Sequence, residues 1–215
     1  MQKRLTILIL TLLIGAYWLI QRAPETVSAV GHAAPLVVID PGHGGWDPGA
    51  IRGAVYEKSL TLAVALKLGT LLQQRGYRVY YTRSTDTALS STVLKDLTQR
   101  ATLANQLGAA LFISVHVNTE PTGTMAGPIV YYTRASLPSY RLATLMTQSL
   151  AATSRPHPPR PIRQWVLEVS QMPAVNVEIG FLSHSVDAQR MQSTWYQAVL
   201  AQSMANGVSR YLGQS

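Results

Sequence analysis

Short apolar runs alternate along the chain with longer segments in which hydrophobic residues recur at helical spacing. Apolar runs rich in β-branched residues predict strands, and the helical spacing predicts helices with one buried face. The predicted strands cover residues 36–40, 77–82, 111–115, 128–132, 165–169 and 174–179. The predicted helices run from Glu57 to a stop at Gly76, over 94–107, over 136–153, and over 186–212 with a break near Ser193. Strands therefore alternate with helices, which is typical of an α/β fold with a largely parallel sheet.

The beginning of the chain has a different pattern. Lys3 and Arg4 precede residues 5–20, which carry no charge. This pattern predicts that residues 1–22 are a signal peptide or a retained N-terminal membrane anchor, with export and cleavage favoured. Residues 23–35 have the composition of a linker, which leaves one globular domain over residues 36–213. Under the positive-inside rule that domain lies outside the cytoplasm, in the periplasm or cell envelope, and only the N-terminal segment would meet the membrane.

Composition limits the chemistry that the domain can carry. The chain has no cysteine, so any metal ligands must be histidine, aspartate or glutamate. Its formal net charge is +8, of which Lys3, Arg4 and Arg22 supply three charges. This charge is consistent with solubility alone or with an anionic partner, such as nucleic acid, a membrane or a bacterial wall. No basic cluster is interleaved with aromatic residues, so no nucleic acid is expected as a partner.

Two histidines follow predicted strands. His43 comes after the strand over 36–40, in a stretch rich in glycine and proline, and His116 comes directly after the strand over 111–115. Because parallel strands end at the same edge of a sheet, we expect both imidazoles to lie close together. Glu57 begins the first predicted helix, which returns from that edge. Glu178 stands inside an apolar strand, where a carboxylate is costly unless it is paired or functional.

Two imidazoles and one carboxylate are a common ligand set for catalytic zinc, and a second carboxylate nearby can move protons. His43, Glu57 and His116 are therefore candidate metal ligands, and Glu178 is the candidate proton carrier. The long intervals between them contain no short ligand motif, so the spacing leaves a metal site and purely structural roles both open. Asp40, at the end of the first strand, is expected to orient His43 or to close the turn that follows.

Several motifs, in the same order along the chain, resemble one known family. The matching stretches are Val38-Ile39-Asp40-Pro41-Gly42-His43-Gly44-Gly45, Asp47-Pro48-Gly49-Ala50, Glu57-Lys58, Leu111-Phe112-Ile113-Ser114-Val115-His116-Val117-Asn118 and Pro173-Ala174-Val175-Asn176-Val177-Glu178-Ile179-Gly180-Phe181-Leu182-Ser183. With these motifs the chain resembles the zinc-dependent N-acetylmuramoyl-L-alanine amidases, bacterial cell-wall hydrolases of the amidase-3 type. The resemblance extends over residues 36–212.

The resemblance implies a fold, a reaction and a site. The expected fold has three layers, a mostly parallel twisted sheet with helices on both faces. The expected reaction is hydrolysis of the amide bond between N-acetylmuramic acid and L-alanine in peptidoglycan. One Zn²⁺ would be held by His43, Glu57 and His116, with Glu178 as the catalytic residue. We expect a monomer, and a protein activator is conceivable but not identified by the sequence.

The chain departs from the family pattern in places that bear on substrate. Glu168 stands where the family usually has a basic residue near the substrate, and His184 replaces a usual asparagine. Asn118 is a candidate to contact substrate or to brace its loop. The segment over 119–126 is too short for the helical insertion that closes the site in some relatives, so an open groove is expected. Two alternatives remain: a zinc hydrolase of another peptide or amide, or a non-catalytic relative that binds the wall.

Overall fold

The computed structural model describes residues 33–213. The signal peptide or anchor predicted for residues 1–22, and most of the linker predicted for residues 23–35, lie outside the described residues. Among the helices within the described range, none is both long enough and apolar enough to cross a membrane.

A six-stranded sheet forms the centre of the described chain, in the order β4-β1-β5-β8-β6-β7, and β2 and β3 form a separate hairpin. The strands are β1 (Leu36–Pro41), β2 (Ile51–Arg52), β3 (Val55–Tyr56), β4 (Arg78–Tyr81), β5 (Leu111–Asn118), β6 (Ile129–Tyr132), β7 (Arg160–Pro161) and β8 (Ala174–Phe181). The helices are α1 (Glu57–Gln74), α2 (Val93–Gln106), α3 (Leu137–Leu150), α4 (Trp165–Glu168), α5 (Ser185–Met191) and α6 (Thr194–Leu212). Strands β4, β1, β5 and β8 are parallel, whereas β6 runs antiparallel to β8.

Each face of the sheet has its own core, because alternate residues of a strand point to opposite sides. On one face Ile39 and Ile113 belong to a cluster that includes buried residues of α1, α3 and α6. On the other face Val38 and Phe112 pack with residues of α2 and with Leu167 of α4. The protein therefore has three layers, with a mostly parallel sheet between two layers of helices, as the fold-class prediction stated.

The strand order positions the candidate site. β1, β5 and β8 are neighbours in the middle of the sheet and run in the same direction, so their carboxyl ends lie side by side. His43 follows β1, His116 lies near the end of β5, and Glu178 lies opposite His116 in β8. Crevices at the carboxyl ends of parallel strands are where open α/β sheets bind their ligands.

The strand predicted over residues 165–169 is wrong. This segment forms the single helical turn α4, in which Val166 and Leu167 are buried. Both side chains join the core cluster beneath α2, and the Trp165 indole nitrogen donates to the Thr98 hydroxyl on that helix at 3.0 Å. A short apolar run has the same pattern in a strand and in a buried helical turn, and here packing on α2 favours the helix.

Two smaller differences concern boundaries and breaks. His116 lies inside β5, which continues to Asn118, and does not follow the strand as predicted. The ladder to β8 has a register shift between His116 and Asn118, so pairing becomes irregular next to the site. The predicted break near Ser193 is confirmed, because α5 ends at Met191 and Ser193 precedes the first residue of α6.

Candidate metal centre

The loop after β1 brings His43 toward β5. His43 has a φ of 63°, in the left-handed region that side chains rarely adopt. A side chain at Gly42 would meet the His116 ring, because a Cβ atom there would lie 2.2 Å from its Cε1 atom. The imidazole of His116 therefore packs against bare backbone, and this close approach requires glycine at position 42.

His43, Glu57 and His116 converge at the carboxyl edge of the sheet. One donor atom from each residue lies within 4.8 Å of the other two. The Oε1 atom of Glu57 is 3.1 Å from His43 Nε2 and 3.1 Å from His116 Nδ1. Glu57 is buried and the two histidines are partly exposed, so the cluster is open toward solvent on the histidine side.

Hydrogen bonds fix the orientation of these groups. Asp47 Oδ2 lies 2.8 Å from His43 Nδ1, which leaves the Nε2 atom of His43 facing Glu57. The two oxygens of Glu57 each accept a backbone N–H: Oε1 from Val117 and Oε2 from Ala50, both at 2.8 Å. A carboxylate behind a histidine and backbone donors behind a carboxylate are typical of supported metal ligands.

The charges of the cluster suit a cation. Burial acts to raise the pKa of Glu57, but hydrogen bonds and charge interactions with His116 and His43 outweigh it and hold the pKa well below its usual range. Burial acts to lower the pKa of His43, but Glu57 and Asp47 outweigh it and raise that pKa to about 9. The cluster therefore stabilises positive charge between its donors. Nitrogen and oxygen donors of this kind, from two histidines and one carboxylate, fit a zinc ion.

Glu178 lies beside this cluster in a different environment. It is paired with His116 across β5 and β8 and is only 8% exposed. Its Oε1 atom accepts a hydrogen bond from the Asn176 amide at 3.0 Å, and its Oε2 atom has no partner among the described residues. Burial, opposed in part by the nearby His116, raises the pKa of Glu178 to about 7. A carboxyl group with this pKa can both accept and return a proton near neutral pH.

Two buried arginines hold the loop that carries His43. Arg100 pairs with Asp40 at 2.8 Å and with Asp96, and donates to the carbonyl oxygen of His43 at 2.8 Å. Arg83 instead donates to backbone carbonyl oxygens, including that of Gly42 at 2.9 Å. The backbone on both sides of the turn is therefore tied to side chains from α2 and from the segment after β4.

Asp40 does not orient His43. Its Oδ1 atom accepts hydrogen bonds from Arg100 of α2 and from Thr82, and its Oδ2 atom accepts one from Ser114 of β5. Asp47 lies behind His43 instead. Asp40 holds the end of β1 and Asp47 holds the imidazole.

The two candidate substrate residues lie in different surroundings. Asn118, at the end of β5, accepts the Thr119 N–H through Oδ1 at 2.8 Å and is 3.4 Å from the Tyr131 hydroxyl. Glu168 is exposed on α4 and pairs with Arg163 at 3.0 Å. It lines a surface cavity whose lining residues include none of the three cluster residues. Their contact with substrate stays a prediction.

Two residues of the site were missed by sequence reasoning. Asp47 was noticed only as part of a motif, and its role depends on how the turn folds back on His43. Asn176 had an available signal, because residues two apart in a strand share a face and Glu178 is two positions further on. A buried amide beside a candidate catalytic carboxylate is therefore detectable from spacing alone.

The fold and the site together define a class: a three-layer α/β protein with a candidate metal centre at the carboxyl edge of its sheet and a buried carboxylate beside it. Residues 37–210 match the family model described as N-acetylmuramoyl-L-alanine amidase. The chain belongs to this family. Its activity is that of a peptidoglycan amidase, and its place of action is the cell envelope.

Individual relatives support this assignment. The germination-specific N-acetylmuramoyl-L-alanine amidase of Bacillus subtilis is 32% identical over 188 residues, which cover 82% of this chain and 79% of that protein. The catalytic domain of CwlV, an N-acetylmuramoyl-L-alanine amidase from Bacillus (Paenibacillus) polymyxa, has a similar structure, with a TM-score of 0.76 and 34% identity. The match covers 84% of this chain and 99% of that one. The CwlD amidase of Clostridioides difficile, solved with the GerS lipoprotein, has a TM-score of 0.75 and 25% identity. That match covers 84% of this chain and 100% of CwlD.

Proposed function

We propose that the chain is a zinc-dependent amidase whose single Zn²⁺ is held by His43, Glu57 and His116. The convergence of their three donor atoms within 4.8 Å carries this proposal. When bound, a zinc ion supplies Lewis acidity to the scissile carbonyl and lowers the pKa of water. The donors come from the loop after β1, from α1 and from β5, so the folded sheet itself aligns them.

Glu178 carries out the proton transfers in this proposal. Its unpartnered Oε2 atom accepts a proton from the attacking water and returns it to the amine nitrogen of L-alanine as the amide bond breaks. The Asn176 amide occupies Oε1, so the two oxygens of the carboxylate have different tasks. Burial of Glu178 keeps its pKa near the pH at which such an exchange is efficient.

The decisive variant is Glu178→Gln, which keeps the shape of the side chain and removes its basicity. With purified walls as substrate, we expect the release of L-alanine amino termini to fall by about 10²–10⁴-fold. Zinc content should stay unchanged, because Glu178 is not among the proposed ligands. Glu120→Gln is the matched control, since that half-buried carboxylate caps backbone N–H groups of its own loop. Wall cleavage that survives both Glu178→Gln and a chelator would disprove the mechanism.

Export is a further part of the proposal. The charged start and the apolar run over residues 5–20 support a signal peptide or anchor that delivers the domain to the envelope. The mass of the mature chain recovered from cells distinguishes the two, because cleavage removes at least the first 22 residues. A full-length chain found in the cytoplasm would contradict export.

The related CwlD amidase was solved with a lipoprotein, which supports a protein activator for this chain as well. We propose that the domain is a monomer when isolated and that any activator binds as a separate chain. Light scattering of the purified protein tests the first statement. Stimulation of wall cleavage by an envelope fraction, lost after protease treatment of that fraction, tests the second.

A further inference from the structure

A second cavity lies beside the candidate metal centre, between the β2–β3 hairpin and the ends of β5 and β8. Its volume is about 440 Å³, and its lining residues are Ala50, Ile51, Arg52, Thr119, Leu182 and Ser183. Aliphatic side chains and hydroxyl groups share the wall. Ile51 is 56% exposed, so its side chain is available to a ligand at the cavity wall.

This cavity adjoins the metal cluster through Ala50, which lines the cavity and is hydrogen-bonded to Glu57. The backbone N–H of Ala50 donates to Glu57 Oε2 at 2.8 Å, and the N–H of Glu57 donates to the Ala50 carbonyl at 2.9 Å. Thr119 directly follows the last residue of β5. Arg52 is two residues beyond Ala50, an extended span of about 7 Å. The cavity therefore begins at a residue that is bonded directly to the cluster, and Arg52 lies within about 7 Å of that residue.

Arg52 gives the cavity its charge. Its Nη1 atom donates to the carbonyl oxygens of Leu182 at 3.0 Å and Ser183 at 2.7 Å, which holds the guanidinium across the end of β8. Within residues 33–213 its hydrogen bonds go to carbonyl oxygens and leave its charge without a carboxylate partner. The nearby Glu120 carboxylate is committed to backbone N–H groups of Thr122 and Thr124. Among the described lining residues, Arg52 is the charged one.

Peptidoglycan offers a matching group. Hydrolysis at the amide of L-alanine places the following residues of the stem peptide next to the site, and the residue after L-alanine carries a free carboxylate unless it is amidated. That carboxylate lies about 7 Å from the scissile nitrogen in an extended peptide. A positioned guanidinium with free N–H groups binds carboxylates through charge-assisted hydrogen bonds.

We propose that this cavity is the stem-peptide subsite and that Arg52 binds the carboxylate of the residue after L-alanine. Ile51 and Leu182 supply the apolar wall for the neighbouring methyl group. This inference rests on the proposed function, since it assigns the part of the same substrate that lies beside the metal centre. It makes Arg52 a specificity-determining residue for wall peptides with a free acid at this position.

The test uses two synthetic N-acetylmuramoyl peptides that differ only in whether this carboxylate is free or amidated. We expect the wild-type enzyme to have a KM about tenfold lower for the free acid, with similar kcat. Arg52→Gln should raise the KM of the free acid about tenfold and leave that of the amide unchanged. Arg52→Lys, which keeps the charge, should recover part of the preference. Arg78→Gln is the matched control, because Arg78 is exposed at the first residue of β4.

Each contrary outcome has a distinct meaning. Equal KM values for the two peptides in the wild-type enzyme would overturn the subsite, even if the Arg52 variants failed to fold. An equal rise in both KM values on Arg52→Gln would show that Arg52 only fastens the hairpin. A wild-type enzyme that cleaves neither peptide nor purified walls would instead refute the proposed function itself.

Discussion

Two glutamates of the same site have opposite environments. Glu57 accepts two backbone N–H bonds and lies between two imidazoles, so its charged form is stabilised. Glu178 has one amide partner and a buried free oxygen, so desolvation dominates and its neutral form is favoured up to about pH 7. These environments suit the two carboxylates to the different roles proposed for them, metal ligand and proton carrier, although their chemistry is identical.

Asn176 should control the protonation of Glu178. Its amide donates to the carboxylate and lowers the pKa of Glu178, against the larger effect of burial. Since the base must be deprotonated, activity should rise with pH up to about 7 in the wild type. Asn176→Leu should lower kcat and move this rise in activity to higher pH, because the ionised Glu178 carboxylate loses its hydrogen bond. The measurement is kcat against pH.

Asn105→Leu is the matched control for that variant. Asn105 also bridges chain segments, through Val169 and Gln171, but at the end of α2. The Asn105→Leu variant should have a lower free energy of unfolding, but its kcat should rise over the same pH range as in the wild type. If the pH dependence of kcat is unchanged in Asn176→Leu, the Asn176 amide only fills space in the core.

Asp47 should tune metal affinity through His43. Its carboxylate fixes the imidazole by a hydrogen bond to Nδ1. Asp47→Asn should weaken zinc binding by about 10–100-fold, the usual effect of losing such a partner. Titration against a competing chelator measures the change. Asp86→Asn is the control, because this exposed carboxylate also accepts a hydrogen bond from the loop, at Gly45, and its loss should leave zinc affinity nearly unchanged. An equal loss of zinc affinity in both variants would contradict the role of Asp47.

At the level of elements, the ligand loop is held by neighbours distant in sequence. Arg100 of α2 joins the loop to the end of β1, because it binds both Asp40 and the carbonyl of His43. Arg83 does the same for the carbonyls of Pro41 and Gly42. A glycine-rich loop without these ties would have many conformations, so the precision of the site comes from α2 and the segment after β4.

Arg100→Met should therefore be strongly destabilising. It leaves Asp40 buried and without its cation, and breaking a buried pair in this way costs about 3–5 kcal/mol. Arg163→Met removes an arginine whose side chain is 91% exposed, and its ion pair should contribute less than about 1 kcal/mol. Urea unfolding of both variants measures the difference. Similar free energies of unfolding would show that water reaches Asp40 and replaces the guanidinium.

In the wild-type protein, low pH should weaken the same ion pair between Asp40 and Arg100. Burial acts to raise the pKa of Asp40, but Arg100 and hydrogen bonds from Thr82 and Ser114 hold it below its usual value. A group whose pKa is depressed by folding contributes stability above its unfolded pKa. That contribution is lost only as the pH falls below about 4 and through the folded pKa.

For the whole molecule, metal should link parts of the fold that are far apart in the chain. The proposed ligands come from the loop after β1, from α1 and from β5. An ion that binds only the folded state stabilises it by about 2.7 kcal/mol at a free concentration of 100 times its Kd. Thermal unfolding should therefore show a higher Tm with zinc than with chelator, and an unchanged Tm would contradict the ligand assignment.

Much of this molecule follows from its sequence. Apolar runs, with glycines at the ends of elements, predicted β1, β5 and β8. Because parallel strands end at one edge of a sheet, the sequence also predicted that His43, His116 and Glu178 lie together. The role of Asp40 was not predictable, because its partner Arg100 lies 60 residues further along the chain. The helical turn at Trp165 depends on packing against α2, which no local pattern contains. Periodicity thus predicts elements, whereas partners of buried polar groups require the packed fold.

The left-handed backbone at His43 has a consequence for how fast an ion is captured. Such a conformation costs about 1–2 kcal/mol for a residue with a side chain, and here the bonds from Arg100 to His43 and from Arg83 to Gly42 offset it during folding. The donors are then already in register before any ion arrives. The capture rate should therefore be set by diffusion, by the exchange of water from the ion and by the release of the proton held on His43, with no wait for the loop to rearrange.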